Sequence, residues 1–189
     1  MNVVSISGSP SQRSRSTWLM QLALTRLEGI AAASTVIMVR DLNASALLSA
    51  DTQQADIRNA ADAVAQADLL IVATPIYKAA YSGLLKTFLD LLPMQALRGK
   101  TVLPLATGGS SAHLLAMDYA LKPVLSALGA RDILDGVFAV DAQLVSHESG
   151  AYVPDAALVQ RLDRALEPLQ PPLSAREPWP VAAALRCND

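Results

Sequence analysis

Short apolar runs alternate along this chain with longer stretches in which apolar residues return every three or four positions. Asn2–Ser7, Thr35–Val39, Leu69–Thr74, Thr101–Ala106 and Val137–Val140 read as strands, and three of them are continuous apolar runs. Between them Thr17–Glu28 carries Trp18, Leu19, Leu22, Ala23 and Leu27 at helical spacing. Asp56–Gln66 predicts an Ala-rich helix, and Gly83–Leu92 repeats Leu84, Leu85, Phe88, Leu89 and Leu92 until Pro93 stops it. A helix over about Ala112–Leu128 is closed by Gly129, and Asp155–Leu169 is the last. Arg40–Gln54 reads as irregular, with Asp41, Asn43 and Asp51 as turn formers. Strands that alternate with helices predict an α/β class, a doubly wound parallel sheet of five strands covered on both faces.

Three strands end in loops that carry chemistry. The first runs into Gly8-Ser9-Pro10-Ser11-Gln12-Arg13-Ser14-Arg15-Ser16-Thr17, a tight turn leading to a helix N-terminus. Such an end exposes unpaired N–H groups and favours an anion, to which Ser9, Ser14, Ser16 and Thr17 add hydroxyls and Arg13 and Arg15 add charge. An ordinary turn with serine caps fits the same residues equally well. No Gly-Lys-Ser/Thr ending is present, so this is not a P-loop, and Gly8 lacks the partners of a dinucleotide fingerprint. What remains is a cradle for a terminal phosphomonoester of the kind FMN carries. The third and fourth strands end in Pro75-Ile76-Tyr77-Lys78 and Thr107-Gly108-Gly109, read as loops able to lie along a flat ring. All three loops fall on the carboxyl edge of the sheet, where open α/β folds bind ligands, and five strands suit the flavodoxin-like order 2-1-3-4-5.

Composition narrows the choice. With 189 residues, 52% hydrophobic and 17% charged, the chain can bury one α/β core, expected over residues 1–169. A Pro-rich tail at 170–189, with Pro171, Pro172, Pro178 and Pro180, is expected to be extended. No apolar run approaches the ~20 residues of a bilayer span, and the opening residues lack a signal-peptide pattern, so no membrane role is expected and the cytoplasm is the expected compartment. The single Cys187 leaves no internal disulfide or multi-cysteine metal site, and no metal is expected. A net charge of −2 with mixed signs argues against nucleic acid and against an acidic-faced electron carrier. Aromatics are only 4%, which leaves few rings to clamp a flavin on both faces.

The combination Gly8-Ser9-Pro10 with Ser14-Arg15-Ser16, Ala73-Thr74-Pro75-Ile76-Tyr77 and Thr107-Gly108-Gly109 resembles the NAD(P)H-dependent FMN reductase family. The longer stretches Thr74–Lys86, Leu103–Gly109 and His113–Pro123 are most similar to the flavin reductases of the two-component alkanesulfonate monooxygenase system. The resemblance covers about residues 2–167. It implies reduction of free FMN by NADH or NADPH, release of FMNH2 to a partner FMN-dependent monooxygenase, and a homodimer or homotetramer. It assigns Ser9, Arg15, Ser16 and Thr17 to the phosphate. Pro75, Ile76, Tyr77, Thr107, Gly108 and Gly109 go to the ring and ribityl chain. Lys78, read from its place in the loop, fits steering of an anionic nicotinamide dinucleotide and fits an ordinary solvated lysine equally well. In related reductases a residue inserted near Tyr119 produces a π-bulge, so Tyr119 is expected at a subunit interface where it influences flavin exchange.

No catalytic side chain is nominated, because the flavin supplies the electron sink and the protein has only to align the two rings. His113 and His147 read as surface or capping residues, and Trp18 as a core or subunit contact. Lys86 and Asp90, spaced i,i+4, read as a helix surface pair. Two other readings remain open: an oxidoreductase with tightly held FMN that reduces quinones, azo compounds or metal ions, and a flavodoxin-type carrier.

Overall fold

In the computed structural model, which describes residues 1–147 and 151–170, strand β1 (Asn2–Ser7) leads through the serine-rich turn into helix α1 (Arg15–Leu27) and on to β2 (Ala33–Met38). Helices α2 (Ala44–Ser49) and α3 (Ala55–Gln66) precede β3 (Leu69–Tyr77), which folds back through β4 (Ala80–Tyr81) into α4 (Gly83–Leu89). Strand β5 (Thr101–Gly108) is followed by a wide helical turn at Met117–Leu121 and by α5 (Lys122–Ala127). Strands β6 (Asp132–Ile133), β7 (Val137–Val140), β8 (Leu144–Ser146) and β9 (Tyr152–Pro154) then lead to α6 (Ala156–Leu166).

The main strands pair in parallel in the order β2-β1-β3-β5, and β6 and β7 share the fifth position. The expected order 2-1-3-4-5 therefore holds, with the last strand broken in two. The break, Leu134–Gly136, falls opposite Pro104 of β5, which has no N–H to contribute to a ladder. Strands β8 and β9 form a separate antiparallel hairpin that the sequence pattern did not reveal.

Alternate residues of the strands feed two cores. Val3, Leu69, Ile71 and Leu103 pack under α1 and α6, while Val4, Ile6, Leu70 and Val72 pack under α3, α4 and α5. Phe88 of α4 is fully buried, and burial of such a side chain contributes about 1.5–3 kcal/mol. A third, smaller cluster of Ile76, Ala106, Ala116, Met117 and Phe138 sits at the carboxyl edge.

Several boundaries differ from the expectations, each for a local reason. Arg40–Gln54 is not irregular: Asn43 caps α2 by accepting from the Ala46 N–H at 2.9 Å, and Ala46 and Leu47 reach the core. Strand β3 runs on through Pro75, Ile76 and Tyr77 because Thr74 and Pro75 still pair with β5 and Ile76 pairs with Tyr81. Pro75 is tolerated there because β1 has ended opposite Ala73, so no neighbour on that side needs its missing N–H. Thr107 and Gly108 likewise belong to β5, paired with Ala139 and Val140.

The expected helix over Ala112–Leu128 is three pieces: a 3₁₀ turn at Ser111–His113, the π turn and α5. Pro123 cannot donate to the carbonyl of Tyr119 and its ring crowds that oxygen, which accounts for a widened turn just upstream. Gly129 closes α5 at φ +94°, with Ala130 N–H on Leu125 O and Gly129 N–H on Ser126 O, a Schellman motif. The Pro-rich residues beyond Gln170, Cys187 among them, lie outside the described residues.

Candidate functional site

The edge is assembled around Gly8. Its N–H donates to Ala73 O at 2.8 Å, so the first loop leaves β1 still tied to β3. A Cβ on Gly8 would lie 2.5 Å from Leu85 Cβ and 3.2 Å from Ser82 Oγ, so only glycine permits this approach to α4. Ser82 uses the proximity: its hydroxyl donates to Gly8 O and accepts from Leu85 N–H at 3.1 Å, which caps α4. Thr74, fully buried, accepts from Ser82 N–H at 3.0 Å. One serine thus stitches the first loop, the end of β3 and the start of α4.

From Ser9 to Thr17 the loop is dense in hydroxyls held against backbone. Ser9 Oγ accepts from Ser11 N–H, and Ser14 caps α1 by accepting from Thr17 N–H at 3.2 Å while its hydroxyl lies 3.0 Å from that of Ser16. Thr17 shares a 2.7 Å hydrogen bond with Ser7. The first intrahelical bond runs from Trp18 N–H to Ser14 O, so the N–H groups of Arg15 and Ser16 have no protein partner among the described residues. Backbone N–H groups at the start of a 13-residue helix, flanked by neutral hydroxyls, are the donor set a phosphomonoester needs. The residues fit FMN at this end.

The arginines near the loop are placed differently from one another. Arg13 is exposed. Arg15 is committed to the β8–β9 hairpin: Nε donates to Leu144 O at 3.2 Å, Nη1 lies 3.6 Å from Asp141, and the guanidinium sits 5.3 Å from the centroid of the Tyr152 ring, which Trp18 meets edge-on. Arg40, which the pattern reading passed over, donates from Nη1 to Ser11 O at 3.0 Å, inside the loop itself.

On β3, Pro75 and Ile76 are buried and Tyr77 is half exposed. The chain then reverses through Lys78 (φ 49°) and Ala79 (φ 64°), two residues with side chains in the left-handed region. Tyr119, in the π turn expected at this position, donates its hydroxyl to Ala79 O at 2.6 Å. Burial pushes the Tyr81 phenol above its ordinary value, with nearby Lys86 pulling it back, so it stays neutral at physiological pH. Lys86 and Asp90 form the expected i,i+4 pair.

On β5, Thr107 is buried, and a Cβ on Gly108 would come 3.1 Å from the Phe138 ring. Gly109 is exposed and open. His113 follows in the 3₁₀ turn, its Nδ1 buried without a hydrogen-bond partner among the described residues.

The topology therefore gathers Ser9, Ser16 and Thr17 with Pro75, Ile76, Tyr77, Thr107, Gly108 and Gly109 along the ends of three adjacent strands, and it turns Arg15 toward the hairpin. Thr74, Ser82 and Arg40 are the residues missed. Arg40 carried a signal: it follows β2, and the end of β2 lies beside the loop leaving β1 (Ser7 pairs with Met38).

The family model described as NADPH-dependent FMN reductase matches residues 1–144. An FMN reductase (NADPH) of Escherichia coli strain K12 is 49% identical over 178 residues, covering 94% of this chain and 92% of its own length. One of Pseudomonas putida strain KT2440 is 50% identical over 184 residues, covering 96% and 92%. Among solved structures, the apo form of the NADH:FMN oxidoreductase EMOB superposes with a TM-score of 0.79 at 46% identity, covering 88% of this chain and 86% of that one.

Proposed function

The chain belongs to the NADPH-dependent FMN reductase family, and from that premise we propose that it takes FMN as a free substrate and hands the reduced flavin to a partner FMN-dependent monooxygenase. It is an oxidoreductase that uses FMN and NADPH or NADH. The observation that carries the finer reading is the cradle of N–H and hydroxyl donors between Gly8 and Thr17, set at the end of a sheet where, among the described residues, Tyr77 is the exposed ring on the neighbouring strand ends and Tyr119, from the π turn, is the other exposed ring nearby. A site that grips the phosphate and leaves the ring system lightly covered suits a flavin that comes and goes.

In this reading Ser9, Ser16 and Thr17, with the first N–H groups of α1, hold the phosphate. Pro75, Ile76, Tyr77, Thr107, Gly108 and Gly109 orient the ring and ribityl chain. Lys78 offers an exposed cation at the tip of the β3–β4 turn for the nicotinamide dinucleotide. Arg15 serves the phosphate through the helix start it anchors to the hairpin, not through its own charge. When bound, FMN supplies the two-electron acceptor. The protein's residues bind it, keep one face open for the nicotinamide and hold the sheet edge rigid.

The partner assignment rests on the motif resemblance of Thr74–Lys86 and His113–Pro123. A homodimer or homotetramer, formed through the exposed Leu114, Leu115 and Tyr119, and a cytoplasmic location complete the proposal. No described helix is long and apolar enough to cross a membrane. Residues 1–169 form the flavin-binding unit in this reading.

The test is nicotinamide oxidation by the dialysed protein with FMN titrated from zero. A rate absent without FMN and saturating with it, with NADPH or NADH as donor, is the expected result, and comparison of the two donors gives the nicotinamide preference. A rate indifferent to added FMN but dependent on a quinone would replace this reading with the bound-flavin oxidoreductase.

A further inference from the structure

We propose that Arg40 is a positioning residue of the phosphate loop, and that it supplies the phosphomonoester selectivity which Arg15, committed elsewhere, does not. The proposal rests on the reading of Gly8–Thr17 as the FMN phosphate site.

Arg40 stands just after β2, in the 3₁₀ turn Val39–Asp41. Because β2 pairs with β1 as far as Ser7, the residue that follows β2 emerges beside the loop that follows β1. Its side chain is only 13% exposed, unusually low for arginine, and it packs toward the loop instead of extending into solvent. Nη1 donates to Ser11 O at 3.0 Å, and Asp41, itself largely exposed, lies 3.6 Å from Nε. That Nε has no hydrogen-bond partner among the described residues. A guanidinium that has given up most of its water, with one buried N–H unmatched, gains from any further negative charge nearby.

The bond to Ser11 also has a directional effect. Across a trans peptide the carbonyl and the following N–H point in opposite senses. Arg40 holds the Ser11 carbonyl toward itself, so the N–H of Gln12 is presented on the opposite side, and it has no partner among the described hydrogen bonds. Without Arg40 that peptide is free to rotate and to face the anion with its oxygen. Arg40 therefore adds one oriented donor and one nearby positive charge to the cradle. Arg13 is exposed, and Arg15 is engaged by Leu144, Asp141 and Tyr152. Of the three arginines, Arg40 is the one bonded within the loop.

A phosphomonoester is present on FMN and also on the adenosine ribose of NADPH, and the experiment separates them. Flavin fluorescence titrations of the full chain with FMN and with riboflavin, which lacks the phosphate, are compared for the parent, Arg40→Gln and Arg40→Lys. Thermal melting and KM for NADPH and NADH are measured alongside. We expect Arg40→Gln to weaken FMN about tenfold, the loss of one charge-assisted contact, while riboflavin affinity and the NADPH/NADH ratio hold. Arg40→Lys, which keeps the charge and fits the loop less well, should recover part of the loss even if Arg40→Gln proves poorly folded. Equal weakening of FMN and riboflavin would reduce Arg40 to a merely structural residue and overturn the proposal. A change confined to the NADPH/NADH ratio would overturn it by assigning Arg40 to the other phosphate. If the parent itself does not prefer FMN over riboflavin, the phosphate-loop reading fails; if it does and Arg40→Gln keeps that preference, only the role of Arg40 fails.

Discussion

The hydroxyl of Tyr119 donates a 2.6 Å hydrogen bond to the carbonyl oxygen of Ala79, tying the π turn between β5 and α5 to the left-handed reversal between β3 and β4. The two residues are 40 apart in sequence, and each sits where the backbone departs from regular structure. Ala79 is held at φ 64°, and Tyr119 lies in a turn widened by one residue ahead of Pro123. The position of the nominated Tyr77 and Lys78 therefore depends on a contact from another element.

Tyr119→Phe removes only that bond. The expected cost is about 0.5–1.5 kcal/mol, at the lower end because the residue is 58% exposed. The larger expected effect is on exchange: with the turn loosened, FMN dissociates faster and its KM rises more than kcat changes. Stopped-flow release of flavin, set beside a urea melt, measures both. Tyr119→Ala additionally removes apolar surface beside Leu114 and Leu115 and should shift the oligomeric state in sedimentation velocity. Unchanged flavin turnover and assembly in both variants would remove Tyr119 from the mechanism.

Ala79→Gly should stabilise the fold. A non-glycine residue in the left-handed region costs roughly 1–2 kcal/mol, and glycine adopts it freely, less what the more flexible unfolded chain takes back. The expected net gain is about 0.5–1 kcal/mol, a rise of a few degrees in Tm on the scale of a domain this size. Ala79→Val, β-branched, should lower Tm. Calorimetry of the three proteins checks the order.

How far the sequence discloses this arrangement depends on the range of the interaction. The parallel sheet follows from continuous apolar runs, as at Leu69–Thr74, which leave little choice but a sheet buried on both faces, whereas its strand order comes only from the likeness to flavodoxin-like folds. The Ser14 cap, the Gly129 stop and the Lys86–Asp90 pair are contacts within a few residues, and each is present. Pro75 misleads because proline reads as a strand end, whereas the structure stops the neighbouring strand β1 and lets β3 run on. The commitment of Arg15 is invisible because Leu144 is 129 residues away on a hairpin of weak pattern. Arg40 looks like a solvated charge until the β1–β2 pairing is known.

Gly8→Ala tests the knot at the centre of the edge. The added methyl would meet Leu85 Cβ at 2.5 Å, an atom fixed to a buried helix and unable to swing aside. Separating the loop from α4 also strains the Ser82–Gly8 bond. The expected destabilisation is about 1–3 kcal/mol, with weaker FMN binding through a displaced loop. Ser82→Ala removes the bond and the α4 cap without a clash. If Gly8→Ala is no less stable than the parent, α4 moves more readily than this packing implies.

The acid limb of stability should carry a contribution from Asp155. Its carboxylate caps α6, accepting from Leu158 N–H at 2.6 Å and from the Gln143 side chain at 3.0 Å. The first of these bonds, then the second, holds the acid below its ordinary value of 3.8. A carboxylate with a lowered value in the folded state binds its proton more weakly there than in the unfolded chain. The stabilisation is therefore complete above 3.8 and is lost as pH falls through the lower folded value. Asp155→Asn keeps an acceptor for Leu158 but has no proton to gain, so its deficit against the parent should be constant from neutrality to about pH 5 and shrink toward pH 2. Urea midpoints across that range measure the difference. A deficit that does not change with pH would mean that the cap works through geometry alone and that its charge adds nothing to the fold.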